Sequence, residues 1–121
     1  MKLLIALLLA ASSLSVFAGE VVYPSVPRVE TIYSLSFAEG YVQIQVESNG
    51  CTFKESFLVE KYLDPSDNVV RLLFVRSRPD WCRAFHAEGV MVQFSKEDLG
   101  LNYADEVRVE NPFGSNRRVG N

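Results

Sequence analysis

The stretch VETIYSLSFAEGYVQIQVE, residues 29–47, decides the fold class of this chain. Apolar or β-branched residues recur at every second position in both halves, with Ile32 as the interruption, and Ala38-Glu39-Gly40 separates the halves. A period of two is typical of a half-buried β-strand, and two such strands joined by a short glycine-containing turn form a hairpin. The predicted inward-facing residues are Val29, Thr31, Tyr33, Leu35 and Phe37 in the first strand and Val42, Ile44 and Val46 in the second.

Four runs beyond the hairpin are also rich in β-branched and aliphatic residues, which favours strands. They begin at about Ser56, Val69, Val90 and Val107. The first two are joined by the turn-forming sequence Asp64-Pro65-Ser66-Asp67-Asn68, so they are predicted to form a second hairpin. Alternation in the third run places Val90, Val92 and Phe94 in one core with Val42, Ile44 and Val46.

Two short segments carry helical signals. Thr52 and Glu55 resemble a capping box, which predicts a short helical turn at 52–55, and residues 95–100 predict a capped turn closed by Gly100. About six short strands with regularly spaced turn signals predict an all-β domain. That domain is either an antiparallel β-sandwich of the Ig-like kind or a small barrel, with a short helical turn.

The ends of the chain indicate export. Residues 1–18 begin with a basic residue, continue with an apolar run and end in small residues at Ala18, which is the order of a secretory signal peptide. The apolar run, Leu3–Ala11, is about half as long as a membrane-spanning helix requires. Cleavage after Ala18 leaves 19–113 as a single predicted domain and 114–121 as a predicted flexible tail. We therefore expect a bacterial periplasmic or secreted protein.

Cys51 and Cys82 are the only cysteines of the chain. In an exported protein a single pair predicts one disulfide, so neither thiol is expected to act as a nucleophile. Closing a loop of this length removes unfolded-state entropy equivalent to roughly 3 to 4 kcal/mol of stability. No metal site is predicted, because the chain has a single histidine and two cysteines do not complete a tetrahedral set.

The segment Arg76–Arg83 is the most distinctive part of the sequence. It contains the single tryptophan, Trp81, beside Cys82. Three arginines lie in this segment, and Arg71 precedes it by a few residues. Arginine and tryptophan are the residues that dominate interface hot spots, and arginine also binds carboxylate or phosphate with two parallel hydrogen bonds. The candidate binding residues are Arg76, Arg78, Asp80, Trp81 and Arg83. In the alternative interpretation Trp81 packs on the disulfide, Asp80 pairs with an arginine and the other arginines are solvated.

Several other functions lack a matching pattern. Without Lys2 the chain has 11 basic and 15 acidic residues, a balance that argues against general nucleic-acid binding. His86 is near Asp80 and Glu88 in sequence, but a lone loop histidine is a weak basis for acid–base catalysis. The oxygen-bearing side chains of 64–68 lack the spacing of a calcium loop, so turn formation is their predicted role. The sequence thus predicts no enzyme, no metal and no cofactor.

Four segments together resemble small uncharacterised exported bacterial proteins that have a single-disulfide β domain. The segments are Asn49-Gly50-Cys51-Thr52, Arg78-Pro79-Asp80-Trp81-Cys82-Arg83-Ala84-Phe85, Val90 to Gly100 and Asn111-Pro112-Phe113. The resemblance covers most of the chain after Ala18. It implies export and a β architecture, and it transfers no catalytic or binding residue.

From these observations we expect an exported, non-enzymatic binding domain that presents its arginine and tryptophan segment on a disulfide-linked β scaffold. The expected partner is another exported or envelope protein. Two alternatives stay open. One is an inhibitor of an exported hydrolase, because a rigid loop has already lost part of its ordering entropy. The other is a structural subunit of an envelope assembly.

Overall fold

The computed structural model describes residues 26–115, and every structural statement below refers to this range. The predicted signal peptide and residues 116–121 of the predicted tail lie outside it. Seven strands and one turn of 3-10 helix at Lys54–Ser56 make up the regular structure. The strands are β1 (Arg28–Val29), β2 (Ser34–Ala38), β3 (Tyr41–Ser48), β4 (Phe57–Leu63), β5 (Val70–Arg76), β6 (His86–Ser95) and β7 (Val107–Val109).

The strands form two sheets that share one core. One sheet is antiparallel with the order β2-β3-β6, and the other has the order β1-β5-β4 with β7 parallel to β5. The fold is therefore all-β and sandwich-like, and the described strands do not close into a barrel. No helix in the described range is long and apolar enough to cross a bilayer.

The predicted core register is confirmed in the three-stranded sheet. Val42 lies opposite Phe94, Ile44 opposite Val92, and Val46 opposite Val90. Five of these six side chains are buried and Val90 packs at the margin of the same cluster. The second sheet contributes Phe74, whose ring centroid lies 5.0 Å from that of Phe94. The core is thus formed by the facing sides of both sheets.

The first predicted strand is divided in two. β1 pairs with β5 in one sheet and β2 pairs with β3 in the other, so the chain passes between the sheets at residues 30–33. This crossing reverses which side chains point inward. Glu30 and Ile32 are buried, whereas Val29 is 47% exposed and Phe37 is 51% exposed. The predicted inward orientation of Val29 is therefore wrong. Phe37 lies opposite the buried Val42, on the core-facing side as predicted, but it is exposed because β2 is the terminal strand of its sheet.

One edge of β5 is shared by β1 and β7, and Asn111 fills the gap between them. β7 pairs with Val70–Leu72, and β1 pairs with the far end of β5. Between these stretches the buried side chain of Asn111 accepts a hydrogen bond from Phe74 N–H at 2.8 Å. It also donates to the carbonyl oxygens of Phe74 and Glu30, both at 2.8 Å. The amide thus satisfies the Phe74 N–H and the Glu30 carbonyl oxygen, and it shares the Phe74 carbonyl oxygen with the N–H of Glu30.

β6 begins earlier than predicted, at His86, and contains an irregularity. Its register with β3 shifts between Val46 and Ser48. Gly89 has φ +74, and a Cβ atom at this position would lie 2.2 Å from the carbonyl oxygen of Val46. Only glycine fits such a conformation so close to a neighbouring strand. Glycine at position 89 therefore allows β6 to continue past the irregularity.

The predicted turns are present, with changes in detail. The 3-10 turn lies two residues after Thr52, and Phe53 N–H donates to Ser56 Oγ at 3.0 Å. At 64–68 the Asp64 carboxylate accepts from Ser66, and Asn68 has φ 55, so these residues form the predicted turn. At 95–100 Leu99 N–H donates to the Ser95 carbonyl oxygen at 3.1 Å, which closes a single turn.

Candidate interaction surface

The predicted disulfide is present. Cys51 follows β3 and Cys82 lies in the connection between β5 and β6, with their Cα atoms 5.5 Å apart and a sequence separation of 31. The bond therefore fastens the 77–85 connection to the segment after β3. A disulfide fits an extracellular or periplasmic location.

Asp80 fastens the same two segments without covalent chemistry. Its carboxylate accepts hydrogen bonds from the N–H groups of Asn49 at 2.8 Å, Cys51 at 3.0 Å and Cys82 at 3.1 Å. It also accepts from the hydroxyl of Thr52 at 2.7 Å. An ionised carboxylate has about four acceptor positions. Here they accept hydrogen bonds from both the segment after β3 and the connection between β5 and β6. Asp80 thus has backbone partners where the alternative interpretation expected an arginine.

The charge of Asp80 is stabilised by these donors. Partial burial pushes the pKa of Asp80 upward, but the hydrogen bonds from Thr52, Asn49, Cys82 and Cys51 outweigh burial and hold the pKa below its ordinary value. The carboxylate is consequently ionised at neutral pH. It faces the protein backbone and contributes rigidity to the connection.

Arg76 lies inside the protein. Its side chain is 3% exposed and its Nε donates to a Glu30 carboxylate oxygen at 2.8 Å. Its Nη1 donates to the Thr52 hydroxyl at 2.9 Å, and its guanidinium carbon lies 5.0 Å from the ring centroid of Phe57. Thr52 therefore links the buried Glu30–Arg76 ion pair to Asp80. Arg76 is therefore buried and does not face a partner, although the sequence predicted that it would. The ion pair with Glu30 compensates for the burial of its charge.

The arginines of the sequence cluster are separated in space. Arg71 lies at the opposite end of β5 from Arg76 and forms ion pairs with Asp67 and Glu110. Arg78 and Arg83 are exposed, and neither has an acidic partner within salt-bridge distance among residues 26–115. The local excess of positive charge therefore comes from these two residues.

Trp81 projects from the fixed part of the connection. Its side chain is 60% exposed, although the residues on both sides of it, Asp80 and Cys82, are held by hydrogen bonds and by the disulfide. Phe85 is 49% exposed and follows at an alternate position after Arg83. We call Arg78, Trp81, Arg83 and Phe85 the Trp81 surface. At this exposure Trp81 is not a buried core residue.

Three residues of this site were not predicted as functional. Glu30 and Thr52 support the connection from inside, and Phe85 adds exposed aromatic area. No periodic signal was available for Phe85, because residues 81–85 lie outside the strands and the chain bends at Arg83. No local sequence pattern predicts the Glu30–Arg76 ion pair, because the two residues lie 46 positions apart in the sequence.

The acid–base hypothesis for His86 gains no support from two concavities formed by the described residues. His86 is exposed and lies opposite Ser48 in the sheet. A concavity of about 400 Å³ lies beside β4 and is lined by apolar residues such as Phe57 and by charged residues such as Lys61 and Asp98. A second one, of about 260 Å³, lies beside the 3-10 turn. Neither contains His86, Asp80 or Glu88 in its lining.

Comparison with models of protein families, with curated protein sequences and with solved structures gives no match to this chain.

Proposed function

We propose that this protein is an exported, non-enzymatic binding domain and that the Trp81 surface contacts its partner. The observation that carries the proposal is the exposure of Trp81 between two fixed residues. A large aromatic side chain in water gains free energy when a partner covers it, and tryptophan is enriched among interface hot spots. Because Asp80 and the disulfide already order the backbone, association loses less conformational entropy there.

The charges of the Trp81 surface favour an acidic partner. The negative charge of Asp80 is satisfied by backbone donors, and that of Glu30 is neutralised by Arg76. The guanidinium groups of Arg78 and Arg83 are thus the charges that the surface presents. Arginine binds carboxylates with a planar pair of hydrogen bonds, so a carboxylate-bearing region of another exported or envelope protein fits these residues.

The test is affinity capture from an envelope lysate with mature, disulfide-intact protein, followed by titration of the captured partner. Arg78→Ala and Arg83→Ala are each expected to weaken binding by about 5- to 30-fold, which corresponds to the loss of a moderate hot spot. Arg108→Ala is the matched control, because Arg108 is an exposed arginine in β7. Equal binding by all three variants would contradict the proposal.

Trp81→Ala separates binding from folding. Since Trp81 is mostly exposed, we expect its removal to weaken binding while the free energy of unfolding changes by less than about 1 kcal/mol. Tyr103→Ala is the control, because Tyr103 is 78% exposed in another loop. A variant that unfolds but binds normally when folded would assign Trp81 a purely structural role.

A second candidate function is inhibition of an exported hydrolase. The observation that favours it is the ordered backbone around Trp81, since inhibitors of this kind present a loop that is already rigid. Incubation of the protein with a panel of proteases and lysozymes tests this alternative directly. Stoichiometric co-purification with a membrane complex would instead favour a subunit of an envelope assembly.

A further inference from the structure

The larger of the two concavities described above is a groove between β4 and the segment 94–100. It lies at the side of the sandwich where β4 ends one sheet and β6 ends the other. Its floor is formed by the buried side chains of Phe57, Phe94 and Leu99, and Val59 lines it next to them. The volume of about 400 Å³ falls in the range of small-molecule sites, which is roughly 300–1,000 Å³.

A polar contact crosses the groove at each end. Beside the start of β4, Lys54 Nζ lies 3.4 Å from a carboxylate oxygen of Asp98. Farther along β4, Lys61 Nζ donates to the carbonyl oxygen of Gly100 at 3.0 Å. Strand residues are spaced by about 3.3 Å, so Lys61 lies about 13 Å beyond Phe57. The groove is thus elongated, with an apolar floor between two polar ends.

The two ends differ in charge. At the first end the ammonium group of Lys54 is paired with Asp98, and the carboxylate of Glu55 also lines the groove there. At the other end Lys61 contacts a neutral carbonyl oxygen. Among residues 26–115 no carboxylate lies within salt-bridge distance of Lys61. The second end therefore has a positive charge that is not compensated by an acidic side chain.

Lys61 occupies a core-facing position of β4. Alternate residues of a strand share a face, so Lys61 lies on the same face as Phe57 and Val59. Its apolar stem extends the wall of the groove, and its charged end reaches the surface. An ammonium group has three N–H donors, and the Gly100 carbonyl oxygen takes one of them. The others are available to water or to a ligand in the groove.

We propose that this groove binds a small amphiphile with an unbranched apolar chain and a single carboxylate, which is the chemistry of a medium-chain fatty acid. The carboxylate pairs with Lys61, and the chain lies over Val59, Phe94 and Leu99. An anionic group fits the Lys61 end because the other end already holds two carboxylates. The site shares no residue with the Trp81 surface, so it is independent of the function proposed above.

NMR titration of the mature, disulfide-intact protein with octanoate tests the proposal. We expect saturable binding with a Kd below about 1 mM, and shifts of the methyl resonances of Val59 and Leu99 that locate the ligand in the groove. The comparison ligand is 1-octanol, which has the same chain without the charge. It is expected to bind at least about tenfold more weakly, because it cannot form the charge-assisted hydrogen bond to Lys61.

Lys61→Met provides the matching variant, because it keeps an unbranched side chain and removes the charge. It is expected to weaken octanoate binding at least about tenfold and to leave the binding of 1-octanol unchanged. Lys96→Met is the control, since Lys96 lies over the ring of Tyr103 and does not line the groove. Circular dichroism verifies that both variants are folded, and the comparison of the two ligands on the wild type does not depend on either variant.

Trp81→Ala is expected to bind octanoate normally, which separates this site from the Trp81 surface. Absence of saturable octanoate binding would overturn the proposal, and Lys61 would then be a charge that only protects the edge of β4. Equal affinities for octanoate and 1-octanol, or octanoate binding that Lys61→Met leaves intact, would also overturn it. So would shifts confined to residues outside the groove.

Discussion

A single carboxylate, that of Asp80, connects most of the polar contacts that order the Trp81 surface. It joins the segment after β3 to the β5–β6 connection through backbone donors, and Thr52 extends this contact to the buried Glu30–Arg76 pair. Each donor is partly or fully removed from water, so each needs an acceptor. The role of Asp80 is therefore structural support for the exposed side chains next to it.

Replacing Asp80 by Asn is expected to lower the free energy of unfolding by about 1 to 3 kcal/mol. Both carboxylate oxygens accept hydrogen bonds from backbone N–H groups. In the amide one of them becomes an NH₂ group, which faces donors and leaves them unsatisfied. Urea denaturation at pH 7 measures the effect, with the exposed Glu97→Gln as control. A loss equal to that of the control would show that the network contributes little.

The same carboxylate predicts an acid-dependent loss of stability. Its pKa is lower in the folded protein than in the unfolded chain, so between the two pKa values the unfolded chain binds more protons. Its contribution is therefore complete above the unfolded pKa, near 4, and is lost as pH falls through the folded pKa. Denaturation at pH 7, 5 and 3 should show the difference between wild type and Asp80→Asn shrinking only at the lowest pH. A constant difference would contradict the shift.

At the scale of elements, the β3–β6 pair forms the most regular part of the core. Replacement of the fully buried Ile44 by Ala is expected to cost about 2 to 5 kcal/mol, because it removes apolar contacts and leaves a cavity. Gln43→Ala, one residue away on the outer face, should change stability by less than about 0.5 kcal/mol. Urea denaturation of both variants checks the register, and equal losses would contradict it.

The sequence predicted this part of the fold because alternation is a local signal. It placed Val42, Ile44, Val92 and Phe94 in one core, and the disulfide followed from the cysteine count. It failed at Glu30, because the chain changes sheets there and the inward-facing parity reverses. An ion pair between residues that are distant in sequence, such as Arg76 and Glu30, produces no periodic pattern. The burial of Arg76, a candidate binding residue, was therefore not predictable from the sequence.

At the scale of the whole molecule, three features hold the two sheets and their connections in one arrangement. The apolar core joins the sheet faces, Asn111 joins β5 to the segments on its edge, and the disulfide fixes the loop that carries the Trp81 surface. The disulfide differs from the others because it also restricts the unfolded chain. Its contribution should therefore be measurable without any change in the folded contacts.

Replacing both Cys51 and Cys82 by Ser is expected to lower the free energy of unfolding by roughly 3 to 4 kcal/mol, the entropy gained by an open loop of this length. The hydrogen bonds of Asp80 remain in the variant, so the folded connection should keep its course. Urea denaturation measures the loss, and alkylation of native wild-type protein should label no thiol. Two labelled thiols would show that the bond is absent.

The exposure of Trp81 also determines how the tryptophan fluorescence of the protein changes on unfolding and on binding. It is the single tryptophan of the chain, and 60% of its surface is already in contact with water in the folded state. Unfolding should therefore shift its fluorescence emission very little, and circular dichroism has to follow the folding transition. A partner that covers the indole should instead move the emission to shorter wavelengths. The intrinsic fluorescence of this protein is thus expected to report association in a titration while staying almost silent during denaturation.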